Sequence, residues 1–118
     1  FRKMRKIYFT DPFLFSVYKK TLTKQQITDD EIPKIIEGIV SEHLIRKFGK
    51  VFYASNGKEI DFILNKTAIE VKWRAKTSFK DFGKITLKNN ILLSKSNFDF
   101  KEKDKILIIP ASLFLTLI

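Results

Sequence analysis

The sequence predicts an α/β domain, a central mixed β-sheet flanked by helices, on three observations. Apolar residues between Ile32 and Phe48 recur near the i, i+3, i+4 spacing of an amphipathic helix. Residues 51–73 divide into three short segments of alternating polarity separated by turn residues, a three-stranded meander. A continuous apolar run, ILIIP at 106–110, reads as a buried strand that extends the sheet beyond the meander. With 118 residues, 44% of them hydrophobic, the chain suffices for a single domain, 1–118, around one core.

RKIYFT (5–10) alternates and is rich in Ile, Tyr, Phe and Thr, which predicts a strand. Asp11-Pro12 then signals a helix start, with Asp as N-cap and Pro at the first helical position. PFLFSVYKK (12–20) is expected as a short helix with Phe13, Leu14, Val17 and Tyr18 inward, and TLTKQQIT (21–28) as a loop. The next helix is capped by Asp29 or Asp30, carries Pro33 in its first turn and stops at Gly49. Its apolar stripe is Ile32, Ile35, Ile36, Ile39, Val40, Leu44 and Phe48, with Lys34, Ser41, Arg46 and Lys47 off it.

VFYAS (51–55), EIDFIL (59–64) and AIEVKW (68–73) are the meander strands, joined by turns at NGK (56–58) and NKT (65–67). Between residues 74 and 90 the chain is basic, and Phe79 and Phe82 suit a short packed helix. ILLSK (91–95) reads as a strand, NFDFKEKDK (97–105) as a charged loop, and ASLFLTLI (111–118) as a closing helix or strand. No internal repeat and no dividing linker is visible.

Composition narrows the function classes. There is no cysteine, so no disulfide framework and no zinc–thiolate site. The lone histidine, His43, excludes a His-rich metal centre and reads as a helix-surface residue. A net charge of +10 favours polyanionic partners, nucleic acid before an acidic membrane. The run 106–118 is too short to span a bilayer and is interrupted by Pro110, so no membrane is expected and the location expected is cytoplasmic. The chain opens on Phe and reads as a fragment of something longer.

The hairpin 59–73 carries the chemistry. Acids among Ile, Val and Trp cost stability unless something offsets them. Glu70 and Lys72, two apart, share one strand face, while Ile69, Val71 and Trp73 share the other. A turn at Asn65-Lys66 sets Asp61 opposite Glu70; a turn at Lys66-Thr67 sets it opposite Lys72 and diagonal to Glu70. Either way the two carboxylates are neighbours, and both stay ionised at neutral pH only with a cation between them. Oxygen ligands of this kind suit Mg²⁺ or Mn²⁺. Lys72 alongside could orient a water or stabilise developing charge. The long helix offers a third carboxylate, Glu37 or alternatively Glu42, although Glu42 also pairs naturally with Arg46 four residues on. The competing reading is a solvated salt-bridge cluster of Asp61, Glu70 and Lys72 on a surface hairpin.

A helix with Glu, then Asp61, then Glu70-Val71-Lys72 resembles the PD-(D/E)xK, or restriction-endonuclease-like, superfamily. More narrowly, RKIYFTDPFLF (5–15), IIEGIVSEHLIRKFG (35–49), EIDFIL (59–64), IEVKW (69–73) and ILIIPASLFL (106–115) resemble the DUF4143-type C-terminal domain of AAA-type ATPases of archaea and bacteria. That resemblance implies a restriction-endonuclease-like fold and a metal-dependent nuclease-like domain acting on DNA. It also implies an ATPase module, N-terminal in the longer chain, as a partner. It maps the helix glutamate onto Glu37, the aspartate onto Asp61 and the Glu-x-Lys onto Glu70 and Lys72, with Ile60 in place of the superfamily's Pro. Arg74, Lys76 and Lys80 follow directly and are the expected phosphate contacts. Trp73 points to the other face and reads as core, as do the phenylalanines. The other function class is a non-catalytic domain that binds DNA or docks on its ATPase; a third is attachment to a membrane or partner through the apolar end 106–118. The sequence leaves the oligomeric state open.

Overall fold

The computed structural model describes residues 11–55, 59–83 and 87–118. The strand expected at 5–10 and the turn at 56–58 lie outside them. Six strands form one sheet in the order β1-β2-β3-β4-β6-β5: β1 is Phe52–Ser55, β2 Glu59–Leu64, β3 Thr67–Lys72, β4 Asn89–Ser94, β5 Asp99–Lys101 and β6 Ile106–Pro110. The meander β1-β2-β3 is antiparallel, β3-β4-β6 run parallel, and β5 lies antiparallel on β6. The sheet is therefore mixed, as expected.

Alternation along the strands builds two apolar layers. On one face Phe62, Ile69, Val71, Leu93 and Ile109 meet Val40 and Leu44 of helix α2 (Ile32–Phe48) and Ala111 and Phe114 of helix α3 (Ala111–Leu117). On the other, Ile60, Ala68, Leu92, Ile106 and Ile108 lie under Phe82, with Phe79 and Leu87 at the margin. Both long packing helices thus sit on one side; a 3₁₀ turn, Phe79–Asp81, and its neighbours cover the other. The expected roles of Phe79 and Phe82 hold. The apolar end 106–118 is consumed by β6 and by α3 packed over it, which removes attachment through that end as a function. No helix among the described residues is long and apolar enough to cross a membrane.

Several local expectations need correction. Helix α1 (Pro12–Tyr18) is capped as predicted, Phe13 N–H donating to Asp11 Oδ1 at 2.9 Å. Its apolar residues Phe13, Leu14, Val17 and Tyr18 are nevertheless exposed rather than inward, and α1 packs on α2. The helix continues into a π turn, Lys19–Thr23, where a loop was expected to start at Thr21. Neither Asp29 nor Asp30 caps α2. Glu31 precedes the helix, and its carboxylate accepts from Thr28 N–H at 2.9 Å and Thr28 Oγ1 at 3.1 Å and pairs with Lys19. The Lys19 ammonium, then the Thr28 backbone, hold the Glu31 carboxyl down to about 2.

The buried side of α2 is Gly38, Val40, Ser41 and Leu44, whereas Phe48 is exposed. The expected stripe therefore packs through Ile36, Val40 and Leu44, with Gly38 and Ser41 buried beside them, and only its end at Phe48 departs from expectation. The segment 97–105 was expected as loop throughout but contributes β5, a three-residue edge strand too short and charged to show a strand pattern. Phenylalanines at 13, 48, 52, 98 and 100 are exposed, against the expectation that they serve the core.

Gly49 ends α2 at φ +81°, with its N–H donating to Ile45 O at 2.8 Å. A Cβ there would touch nothing within 4 Å, so the penalty of a side chain is conformational alone. Gly49→Ala is expected to cost about 1 kcal/mol, read as a lowered urea midpoint at constant slope.

Candidate functional site

The two-residue turn Asn65-Lys66, with Asn65 at φ 52°, sets the β2–β3 register: Leu64 opposite Thr67, Ile63 opposite Ala68, Phe62 opposite Ile69. This is the register that carries Asp61 opposite Glu70. Regular pairing stops at Phe62–Ile69. Beyond it the carboxylates occupy the ladder: Val71 N–H donates to Asp61 Oδ2 at 2.8 Å, and Asp61 N–H donates to Glu70 Oε2 at 3.3 Å. On its other edge β2 is bulged. Phe52 pairs with Ile63 and Ala54 with Ile60, so Asp61 and Phe62 together oppose Tyr53. A bulge bends the strand and re-aims its side chains. Here it lets Ile60 and Ile63 serve the same apolar layer and opens β2 from β3 where Asp61 enters.

Asp61 is 8% exposed and Glu70 4% exposed, so the solvated surface cluster is ruled out. The Lys72 ammonium lies 2.7 Å from Glu70 Oε1 and is itself about a third exposed (31%). Burial, then the charge of Asp61, push the Glu70 carboxyl above its usual range, and the Lys72 hydrogen bond only partly offsets them. Lys72 reaches the carboxyl ends of the parallel strands, in register with Ser94 of β4, which is in register with Pro110 of β6. In open α/β sheets ligands bind outside that edge.

The structure therefore brings Asp61, Glu70 and Lys72 together. Neither helix carboxylate completes a three-carboxylate metal set with them among the described residues. Glu37 is half-buried on α2, which packs over the Ile69/Val71 face, whereas Glu70 and Lys72 belong by alternation to the opposite face. Glu42 is held by Arg46 Nε at 2.5 Å. Among the described residues no three Asp, Glu or His side chains gather into a set that could hold a metal ion. Arg74 is exposed and reaches Asp81 at 3.4 Å, Lys76 and Lys80 are exposed, and Trp73 packs partly into the core as expected. Sequence reasoning missed the fixing of the loop after β3. Thr77 Oγ1 donates to Lys72 O at 3.4 Å and Asn97 Nδ2 to Thr77 O at 2.8 Å, contacts between distant segments that leave no local signature.

The raised Glu70 carboxyl has a signed consequence. A native-state pKa above the unfolded value stabilises the fold below the unfolded pKa, and that contribution is lost as pH rises through the native pKa. The cation-free chain is expected to lose this part of its stability as pH climbs from about 4.5 through the raised value. A Glu70→Gln variant should lack it. The Glu31 contribution has the opposite sign and lies lower, present above about 4.5 and lost as pH falls towards 2. Urea midpoints across pH 4–8 for the parent and Glu70→Gln check the first, and midpoints across pH 2–5 for the parent and Glu31→Gln check the second.

A family model described as Domain of unknown function (DUF4143) matches residues 34–114. No curated protein and no solved structure matches the chain.

Proposed function

The chain belongs to the DUF4143 family, and from that membership and the buried acidic pair we propose a metal-dependent nuclease-like domain. It would be of the PD-(D/E)xK, restriction-endonuclease-like kind, act on DNA, and be joined in the longer protein to an AAA-type ATPase. The observation that carries the reading is the burial of Asp61 and Glu70 side by side with Lys72 at the carboxyl edge of the parallel strands. Two desolvated carboxylates repel and cost stability, so core packing gives no reason for them. A hard divalent cation gives one. The donor set is oxygen only, and burial together with the charge of Asp61 raises the Glu70 carboxyl by more than the Lys72 ammonium offsets.

Asp61 and Glu70 would hold Mg²⁺ or Mn²⁺; Glu37, off the pair, is not needed for a two-carboxylate site with water ligands. When bound, the ion would polarise a phosphoryl oxygen and acidify a bound water. Lys72 pairs with Glu70 in the cation-free chain, and its partly exposed ammonium would be the group placed to stabilise negative charge on the phosphate. Arg74, Lys76 and Lys80 supply phosphate contacts beside it.

The test is cleavage of end-labelled DNA with Mn²⁺. Activity should fall about a thousandfold in Glu70→Ala and in Lys72→Ala, several kcal/mol of barrier. A second reading, a non-catalytic DNA-binding or ATPase-docking domain, draws on the internal partners of the acids, Val71 N–H, Asp61 N–H and Lys72. Salt-sensitive DNA binding with no cation dependence and no cleavage would select it.

A further inference from the structure

We propose that the loop between β4 and β5 is a stacking platform for unpaired nucleotides, with Phe98 as the ring and Lys95 as a phosphate contact. The inference rests on the nuclease-like reading and names its substrate class: nucleic acid with an unpaired segment beside the reacting phosphate. Ser94 at the end of β4 is in register with Lys72, so Lys95 leaves the sheet next to the site. The following residues are pinned. Ser94 Oγ donates to Asn97 O at 2.6 Å, and Asn97 Nδ2 donates to Thr77 O in the loop after Lys72. Phe98 therefore follows a tethered residue and is 64% exposed; Phe100, two residues on, is 57% exposed.

A large ring held in water by a fixed backbone is pre-organised for a flat apolar partner. The charge around it selects that partner. Segments 73–81 and 95–99 carry Arg74, Lys76, Lys80 and Lys95 against Asp81 and Asp99, and Asp81 is taken up by Arg74, so the surplus is basic. Among the described residues Lys76, Lys80 and Lys95 have no ion-pair partner. Cations interleaved with an exposed aromatic ring, on two loops tied together, match a polyanion whose bases are free to stack. A continuous duplex hides those faces. Phe has no hydrogen-bonding atom on its side chain, so the contact is tolerant of sequence.

Binding of a labelled single strand and of a duplex of equal length is measured by fluorescence anisotropy in EDTA, which stops any cation-dependent cleavage. The chain should prefer the single strand. Phe98→Ala should weaken single-strand binding about tenfold and change duplex binding by less than about twofold, with Phe98→Trp restoring it. Lys95→Ala should lower the slope of log affinity against log salt by about 0.7 on single strands. Because Phe98 is exposed, the alanine variant should keep the parent melting temperature, which is measured alongside. No single-strand preference, or an equal loss on both nucleic acids, overturns the platform. Binding as expected without any cleavage removes the nuclease reading and leaves the platform; cleavage of duplex with Phe98→Ala fully active does the reverse.

Discussion

Glu70→Gln should abolish the stabilisation of the chain by divalent cations while leaving the cation-free protein at pH 8 at least as stable as the parent. Gln keeps the shape of the side chain and an oxygen to accept from the Asp61 N–H, now given to Glu70 Oε2. It removes a charge that burial and Asp61 both oppose. Lys72, about a third exposed, keeps water as a partner. In the parent, a cation at a hundredfold excess over its Kd adds about 2.7 kcal/mol, which is roughly 10 °C in Tm for a chain of this size. In the variant that shift should vanish. Thermal melts with and without Mn²⁺ at pH 8 read it directly. At pH 5 the parent's shift should shrink too, since the cation competes with a proton on a carboxyl held above its usual range. A parent that shows no shift at either pH has no cation site at this pair.

Phe62→Ala should bring the chain close to unfolding. Phe62 is 1% exposed and packs with Val40, Leu44, Ile69 and Val71 in the layer under α2 and α3. Removing a buried ring costs about 3–5 kcal/mol through lost transfer energy and the cavity left behind. Total stability is only about 5–15 kcal/mol for a domain. Phe62 also shares the bulge with Asp61, so its loss loosens the strand that aims the carboxylate. The urea midpoint should drop sharply, with Phe62→Leu intermediate. A cost below about 1 kcal/mol would show that this layer collapses freely around the gap.

What the sequence discloses tracks whether the signal is local. Turn residues 65–67 sit between two alternating runs, so the sequence narrows the hairpin to two registers, both of which make Asp61 a neighbour of Glu70, and the structure selects the turn at Asn65-Lys66. The Gly49 stop and the Asp11 cap are equally local. The limits of the α2 face are not, because Gly38 and Ser41 are buried beside Val40 and Leu44 while Phe48, which apolar counting favours, is exposed. Nor is β5 visible, since Asp99–Lys101 gains strand geometry only by pairing with Ile106–Ile108. Glu31, rather than Asp29 or Asp30, precedes α2, and its pairing with Lys19, twelve residues earlier, is a contact no local pattern discloses. A third carboxylate is not legible in the same way, because position along a helix does not say which side of the sheet the helix covers.

The bulge opposite Tyr53 also insulates the acidic pair. Placement of Asp61 against Glu70 is dictated from the Asn65 side, through three regular pairs. The frame shift on the β1 side is taken up at Asp61 and Phe62 and leaves those three pairs unchanged. Lengthening or shortening the 56–58 connection by a residue should slide β1 along its neighbour without rotating either acid. That connection is thus free to diversify while the hairpin beside it keeps its chemistry.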